Sequence, residues 1–134
     1  MDTETRQLID ACVAASFAGT RGFGDIVGSL VAQGIESYRV DYREATTTYF
    51  DATTDPYVVA IAIPPVAIAD AFDPDSLVAA IRGSQAGQVK YPEFLDRSMR
   101  AGCVGYVVWI AGRHVVYFGR RGEQHVERFP SAAT

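Results

Sequence analysis

The sequence predicts an α+β fold in a single domain, built from two ααβββ halves related by a pseudo-twofold axis, with a largely antiparallel sheet and helices mainly on one face. Three observations lead there. A chain of 134 residues that is 49% hydrophobic has enough apolar material for one core and is short for two. Residues 9–50 laid over 77–118, an ungapped shift of 68, bring nine identical pairs into register, among them Gly19/Gly87, Gly34/Gly102, Tyr38/Tyr106, Tyr49/Tyr117 and Phe50/Phe118. These matches fall at turn glycines and strand aromatics, where backbone geometry and packing restrict the choice of residue. In each half the hydrophobic period passes from helical to alternating after one of those glycines, Gly34 or Gly102. The domain is read over 1–134, with repeat halves at about 3–63 and 71–130.

The elements follow in order. "ETRQLIDACVAASFAG" carries Leu8, Ile9, Cys12, Val13 and Ala15 as a helical stripe. Its counterpart "DPDSLVAAIRGSQAG" opens with Asp73 as N-cap and Pro74 at the first helical position. Second helices are expected at about 24–33 and 92–101, stopped by Gly34 and Gly102 in the left-handed conformation. Strands are expected at about 36–43, 46–51 and 57–63, then 103–110, 113–119 and 124–129. Pro130 ends the last strand, and the "SAAT" after it reads as a frayed end. An Ala111-Gly112 turn sets Tyr106 opposite Tyr117 and Trp109 opposite His114, and the repeat implies the matching pair Tyr38/Tyr49. Both tyrosine pairs then share the helix-covered face with Val40, Tyr42, Val108 and Ile110, while Arg39, Asp41, Thr48, Phe50, Trp109 and His114 fall on the open face.

Composition excludes several classes of function. A formal charge of −4 and a single lysine, Lys90, argue against a nucleic-acid footprint. The acidic opening "MDTETRQLID" has no basic and apolar leader pattern, so a cytoplasmic location is expected. "YVVAIAIPPVAIADAF" is broken by Pro64 and Pro65 and is too short to span a bilayer; it reads as a buried strand, with no membrane partner expected. Cys12 and Cys103 lack a paired-cysteine or histidine spacing and read as buried thiols. With two histidines in the chain and no ligand spacing between them, no metal and no cofactor is expected.

The candidate site lies in "YFGRRGEQHVERFP". His125 and Glu127 are two apart on a strand and share a face, so a carboxylate can orient the imidazole for acid-base work. A four-residue turn after Gly119 puts that face on the Trp109 side, where Trp109 offers a flat wall for a ligand. Arg120, beside Arg121, has the forked donors of an anion clamp. Asp41, Tyr49, Gln85, Tyr106 and Tyr117 complete the candidate ligand-binding set. The plainer reading of the same stretch is a solvated edge strand with a charge ladder.

The segments "GIESYRVDY", "TYF", "AIRGSQAG", "YPEFLDRSMRAGCVGY" and "YFGRRGEQHVERFP" together resemble an uncharacterised bacterial family catalogued as domain of unknown function 1398, whose members are sometimes labelled phage-envelope-like. The resemblance spans almost the whole chain and rests most visibly on Asp41, Tyr49, Gln85, Tyr91, Phe94, Gly102, Tyr106, Tyr117, Gly119, Arg120, His125 and Glu127. It implies a small single-domain α+β protein and brings no activity with it. Two functions are therefore open: a small-molecule-binding protein, with cofactor-free acid-base catalysis at His125 and Glu127 as its enzymatic form, or a non-catalytic interaction module that forms a homodimer through the open sheet face.

Overall fold

A computed structural model of the chain describes residues 1–130. The four residues read as a frayed end lie outside the described residues. The first half comprises α1 (Thr3–Ala18), α2 (Phe23–Ala32), β1 (Ser37–Asp41), β2 (Thr46–Phe50) and β3 (Tyr57–Ala60). The second comprises α3 (Pro74–Gln85), α4 (Tyr91–Arg100), β4 (Cys103–Trp109), β5 (His114–Gly119) and β6 (Gln124–Arg128). Local chemistry sets the helix ends. Asp2 accepts from the Thr5 amide at 2.8 Å to start α1, and Asp73 accepts from the Ser76 amide at 3.2 Å to start α3, each satisfying an N–H that the helix itself leaves free.

The six strands form one sheet in the order β3-β2-β1-β4-β5-β6, antiparallel at every step. That order reads the same from either edge once the halves are exchanged. At the centre, Tyr38 pairs with Val108 and Val40 with Tyr106, pairs that the 68-residue offset converts into one another. Arg39 pairs with Val107, its own equivalent, so the pseudo-twofold passes between these two residues. Left-handed backbone recurs at the same offset: Gly19 and Gly87 have φ of 72° and 75°, Ala45 and Arg113 have 55° and 58°. The equivalence extends into the third strands, where Tyr49 pairs with Tyr57 and Tyr117 with His125.

All four helices cover the face bearing Tyr38, Val40, Tyr49, Tyr106, Val108 and Tyr117, as the alternation predicts, and the core fills the space between. Ile9, Leu30, Leu77, Leu95, Cys103 and Val108 are fully buried. Each such aliphatic side chain contributes about 1.5–3 kcal/mol relative to exposure. The long apolar run after Tyr57 departs from its reading as a buried strand. β3 is an edge strand that ends at Ala60 with Val58 56% exposed, and residues 61–73 form an irregular connection between the halves. That connection is pinned to the end of α4: Ala69 N donates to Met99 O at 3.0 Å and Asp73 N to Ala101 O at 2.8 Å. A Cβ at Gly102 would stand 2.2 Å from the Ala71 carbonyl oxygen, so glycine is required here for space as well as for its φ of 86°. Among the described residues, no helix is long and apolar enough to cross a membrane.

Candidate functional site

His125 and Glu127 do not lie on the Trp109 side. Gly119 N bonds to Glu123 O at 2.8 Å and Phe118 pairs with Gln124, so the turn after Gly119 holds three residues where the sequence suggested four. A one-residue change in register turns every side chain of a strand to the other face. His125 is therefore opposite Tyr117 and Glu127 opposite Val115, both beneath the helices, while Trp109 points the other way with its partner His114.

Two more expected members fall elsewhere. Arg120 does not clamp a ligand in this geometry: its Nη2 donates to the Ile68 carbonyl at 2.8 Å, and the neighbouring Arg121 bonds Asp70, so the two arginines hold the inter-half connection. Asp41 caps the β1–β2 turn, accepting from the Arg43 and Glu44 amides at 2.9 and 3.1 Å. Burial raises its pKa, and these two amides with the Arg43 side chain more than offset that, leaving it below the ordinary carboxylate range.

Tyr49, Gln85, Tyr106, Tyr117 and Glu127 do come together. They line a cavity of about 600 Å³ between the sheet and the two interhelical loops. The cavity straddles the pseudo-twofold, because its walls are built from equivalent positions of both halves: Ser16 and Ser84, Phe17 and Gln85, Phe23 and Tyr91, Tyr38 and Tyr106, Tyr49 and Tyr117, Ile61 and Phe129. The halves interlock across it. Phe17 meets Tyr91 edge to face at 5.1 Å, Phe23 meets Phe129 at 5.5 Å, and a Cβ at Gly19 would touch the Lys90 side chain at 3.3 Å.

Five tyrosines give the cavity its chemistry. Tyr91 and Tyr106 share a hydroxyl hydrogen bond of 2.7 Å. The hydroxyls of Tyr38, Tyr49 and Tyr117 have no partner among the described residues, and none of these oxygens is sealed off, although their residues are at most 7% exposed. A hydroxyl that no protein group bonds is left to pair with whatever fills the space beside it. Burial pushes the Tyr91 hydroxyl up to about 12 and raises Tyr38, Tyr49, Tyr106 and Tyr117 above the ordinary phenol value, with neighbouring tyrosines adding to the rise in these four. All five therefore stay neutral hydrogen-bond donors at physiological pH.

One flank is polar. Arg82 Nη1 donates to Glu127 Oε1 and, at 3.0 Å, to Gln85 Oε1, while His125 Nε2 lies 3.1 Å from Glu127 Oε2 and its ring sits against Tyr117 at 6.3 Å. Burial raises the Glu127 pKa, but hydrogen bonds from Arg82 and His125 outweigh it and hold the carboxyl below its ordinary value. A carboxylate so engaged is a weak base, which counts against Glu127 as a proton acceptor. His125 stands behind Glu127 and is not part of the cavity wall. Arg82 and Tyr38 escaped the sequence reading. The repeat already contained a signal for Tyr38, the twin of Tyr106, and Arg82 lies one helical turn before Gln85. Cys103, fully buried, has its thiol pushed up to about 11 and serves packing.

No family model matches the chain. Uncharacterised proteins of Mycobacterium tuberculosis and Mycobacterium bovis are 41% identical to it over 64 residues, a segment that covers 48% of this chain and 39% of each relative. The chain thus matches well under half the length of these curated relatives.

Proposed function

We propose that the protein binds a small molecule in the cavity on its pseudo-twofold. One observation carries this reading: the buried residues Tyr38, Tyr49 and Tyr117, whose accessible hydroxyls have no partner among the described residues, line one space of about 600 Å³. That size lies within the roughly 300–1,000 Å³ range of ligand pockets, and so does its make-up of apolar walls with a few converging polar groups. Binding rather than acid-base turnover is favoured because Glu127 is held as an ion pair.

The test is a fragment screen by thermal shift and amide NMR on three proteins. The wild type and Trp109→Ala, altered on the open face, are expected to be stabilised alike, by ~2.7 kcal/mol at 100 times Kd. Ser84→Trp, which fills the cavity, is expected to lose the response. A response that survives Ser84→Trp and disappears in Trp109→Ala would move binding to the open face and end this reading.

The open face supports a second reading. Val58, Trp109 and Val126 are 56%, 46% and 49% exposed on it, in line with docking of a second copy. Sedimentation at the dimer mass for the wild type and at the monomer mass for Trp109→Arg would favour that role.

A further inference from the structure

We infer that the cavity selects an uncharged molecule combining an apolar ring system with a carbonyl-type acceptor oxygen, and that the oxygen is held by Gln85 and Tyr117. This rests on the reading that the cavity binds a small molecule and names the ligand class. The flank formed by α1, β2 and the residue after β3 presents Val13, Phe17 and Ile61 with the hydroxyl-bearing Ser16, Thr47 and Tyr49, and neither a charge nor an amide. The flank formed by α3, β5 and β6 presents Gln85, Tyr117 and Glu127.

On the polar flank the donor directions are settled by chemistry. A guanidinium can only donate, so the Arg82 contact of 3.0 Å fixes the Gln85 amide with its oxygen toward Arg82. The Gln85 NH2 group is then left as a donor, with no partner among the described residues, at the rim of the cavity. The Tyr117 hydroxyl on the same flank is also unpartnered. Two donors with no acceptor of their own fit an acceptor oxygen.

Charge is selected against. Glu127 already has Arg82 and His125. Arg21 spends its guanidinium on the Asp25 carbonyl and the Ser29 hydroxyl at 2.7 and 2.6 Å. Lys90 and Arg128 belong to the exposed rim. An anion set against the Tyr117 hydroxyl would lose its hydration within the field of Glu127, which disfavours negative charge there more than Arg82 favours it, and buried charge of that kind is costly.

Three probes of matched shape separate these requirements: benzophenone, diphenylmethane without the oxygen, and benzoylbenzoate with an added carboxylate. Affinities are measured by amide NMR titration of the full chain. Benzophenone is expected to bind about tenfold tighter than either of the others, the ratio one to two hydrogen bonds supply. Gln85→Leu and Tyr117→Phe are expected to erase its advantage over diphenylmethane, and Tyr49→Phe to cost less than Tyr117→Phe. Equal affinity for all three probes overturns the inference while leaving cavity binding intact. Tighter binding of benzoylbenzoate, a larger loss from Tyr49→Phe, or no shift of cavity amides by benzophenone also overturns it. The Ser84→Trp comparison above then decides separately whether the cavity binds anything.

Discussion

In the first half the edge strand reads Tyr57, Val58, Val59, Ala60; the equivalent strand of the second half reads His125, Val126, Glu127, Arg128. The helices above them differ in parallel, with Ala14 and Phe17 in α1 where α3 has Arg82 and Gln85. Yet the two halves share their left-handed turns, their strand register and their central tyrosine pairs, Tyr38 with Tyr49 and Tyr106 with Tyr117 at ring distances of 5.3 Å each. The difference teaches where a duplicated scaffold is free to diverge. On the helix-covered face the positions beside the axis pair across the halves, Tyr38 with Val108 and Val40 with Tyr106, so a change there is felt by both. The outer flanks lie at sheet edges, where Arg82 and His125 keep part of their hydration and a charge costs little to introduce. Divergence at the flanks therefore turns a symmetric core into a cavity with charge and an amide on one side and neither on the other.

The largest expected break in the symmetry is at the glycines that end the second helices. Gly34 and Gly102 share a positive φ, but a Cβ at Gly34 meets nothing within 4 Å while at Gly102 it would press on the backbone of the inter-half connection. Gly34→Ala is expected to cost ~1 kcal/mol from the left-handed backbone alone. Gly102→Ala is expected to cost ~4 kcal/mol or more, because a pinned backbone carbonyl must also move. Chemical denaturation of the two variants measures the gap, and equal costs would show that the connection is not docked on Gly102. Next in size come the tyrosine pairs. Tyr38→Ala, Tyr49→Ala, Tyr106→Ala and Tyr117→Ala are each expected to lose ~3 kcal/mol, the loss usual for truncating a buried aromatic. If those of one half cost less than half as much as those of the other, the core is not energetically twofold.

Much of this was legible in the sequence, and the reasons are local. Tight turns write themselves into composition, so Gly34, Gly102 and the Ala111-Gly112 hairpin gave the repeat, the tyrosine pairs and the helix-covered face. The site was half legible. Tyr49, Gln85, Tyr106 and Tyr117 share the cavity wall with Glu127, which a four-residue turn would set on the Trp109 face, whereas Trp109, Asp41 and Arg120 lie elsewhere. The sequence leaves Trp109 and His125 free to share a face because "GRRGE" accommodates a three- or a four-residue turn, and one residue decides the face. Arg120 and Arg121 read as a ligand clamp because sequence does not show that the connection supplies the Ile68 and Asp70 oxygens they bond. The connection itself, residues 61–73, has the apolar content of a strand but no neighbouring strand to pair with.

The smallest effect tests whether the polar flank is an ion pair laid over a symmetric frame. Glu127→Val installs the first half's residue at the equivalent position, Val59. At neutral pH the variant is expected to lose less than ~1 kcal/mol, since Arg82 can return to water and partly exposed pairs contribute little. The pH dependence is the sharper reading. The folded pKa of Glu127 lies below its ordinary value of 4.5, because Arg82 and His125 more than offset its burial. A carboxyl with a depressed folded pKa adds stability that is present above the unfolded value and is lost as pH falls through the folded one. The gap between wild type and Glu127→Val is therefore expected to close as pH falls below the unfolded value near 4.5. Asp2, Asp41 and Asp73, also depressed, titrate in both proteins and cancel in the difference. Urea denaturation of both proteins across that range gives the curve. A gap that widens below about pH 5, where carboxylates titrate, would mean that Glu127 is easier to protonate folded than unfolded, so that Arg82 does not hold it and the flank is not the fixed polar wall on which Gln85 depends for its orientation.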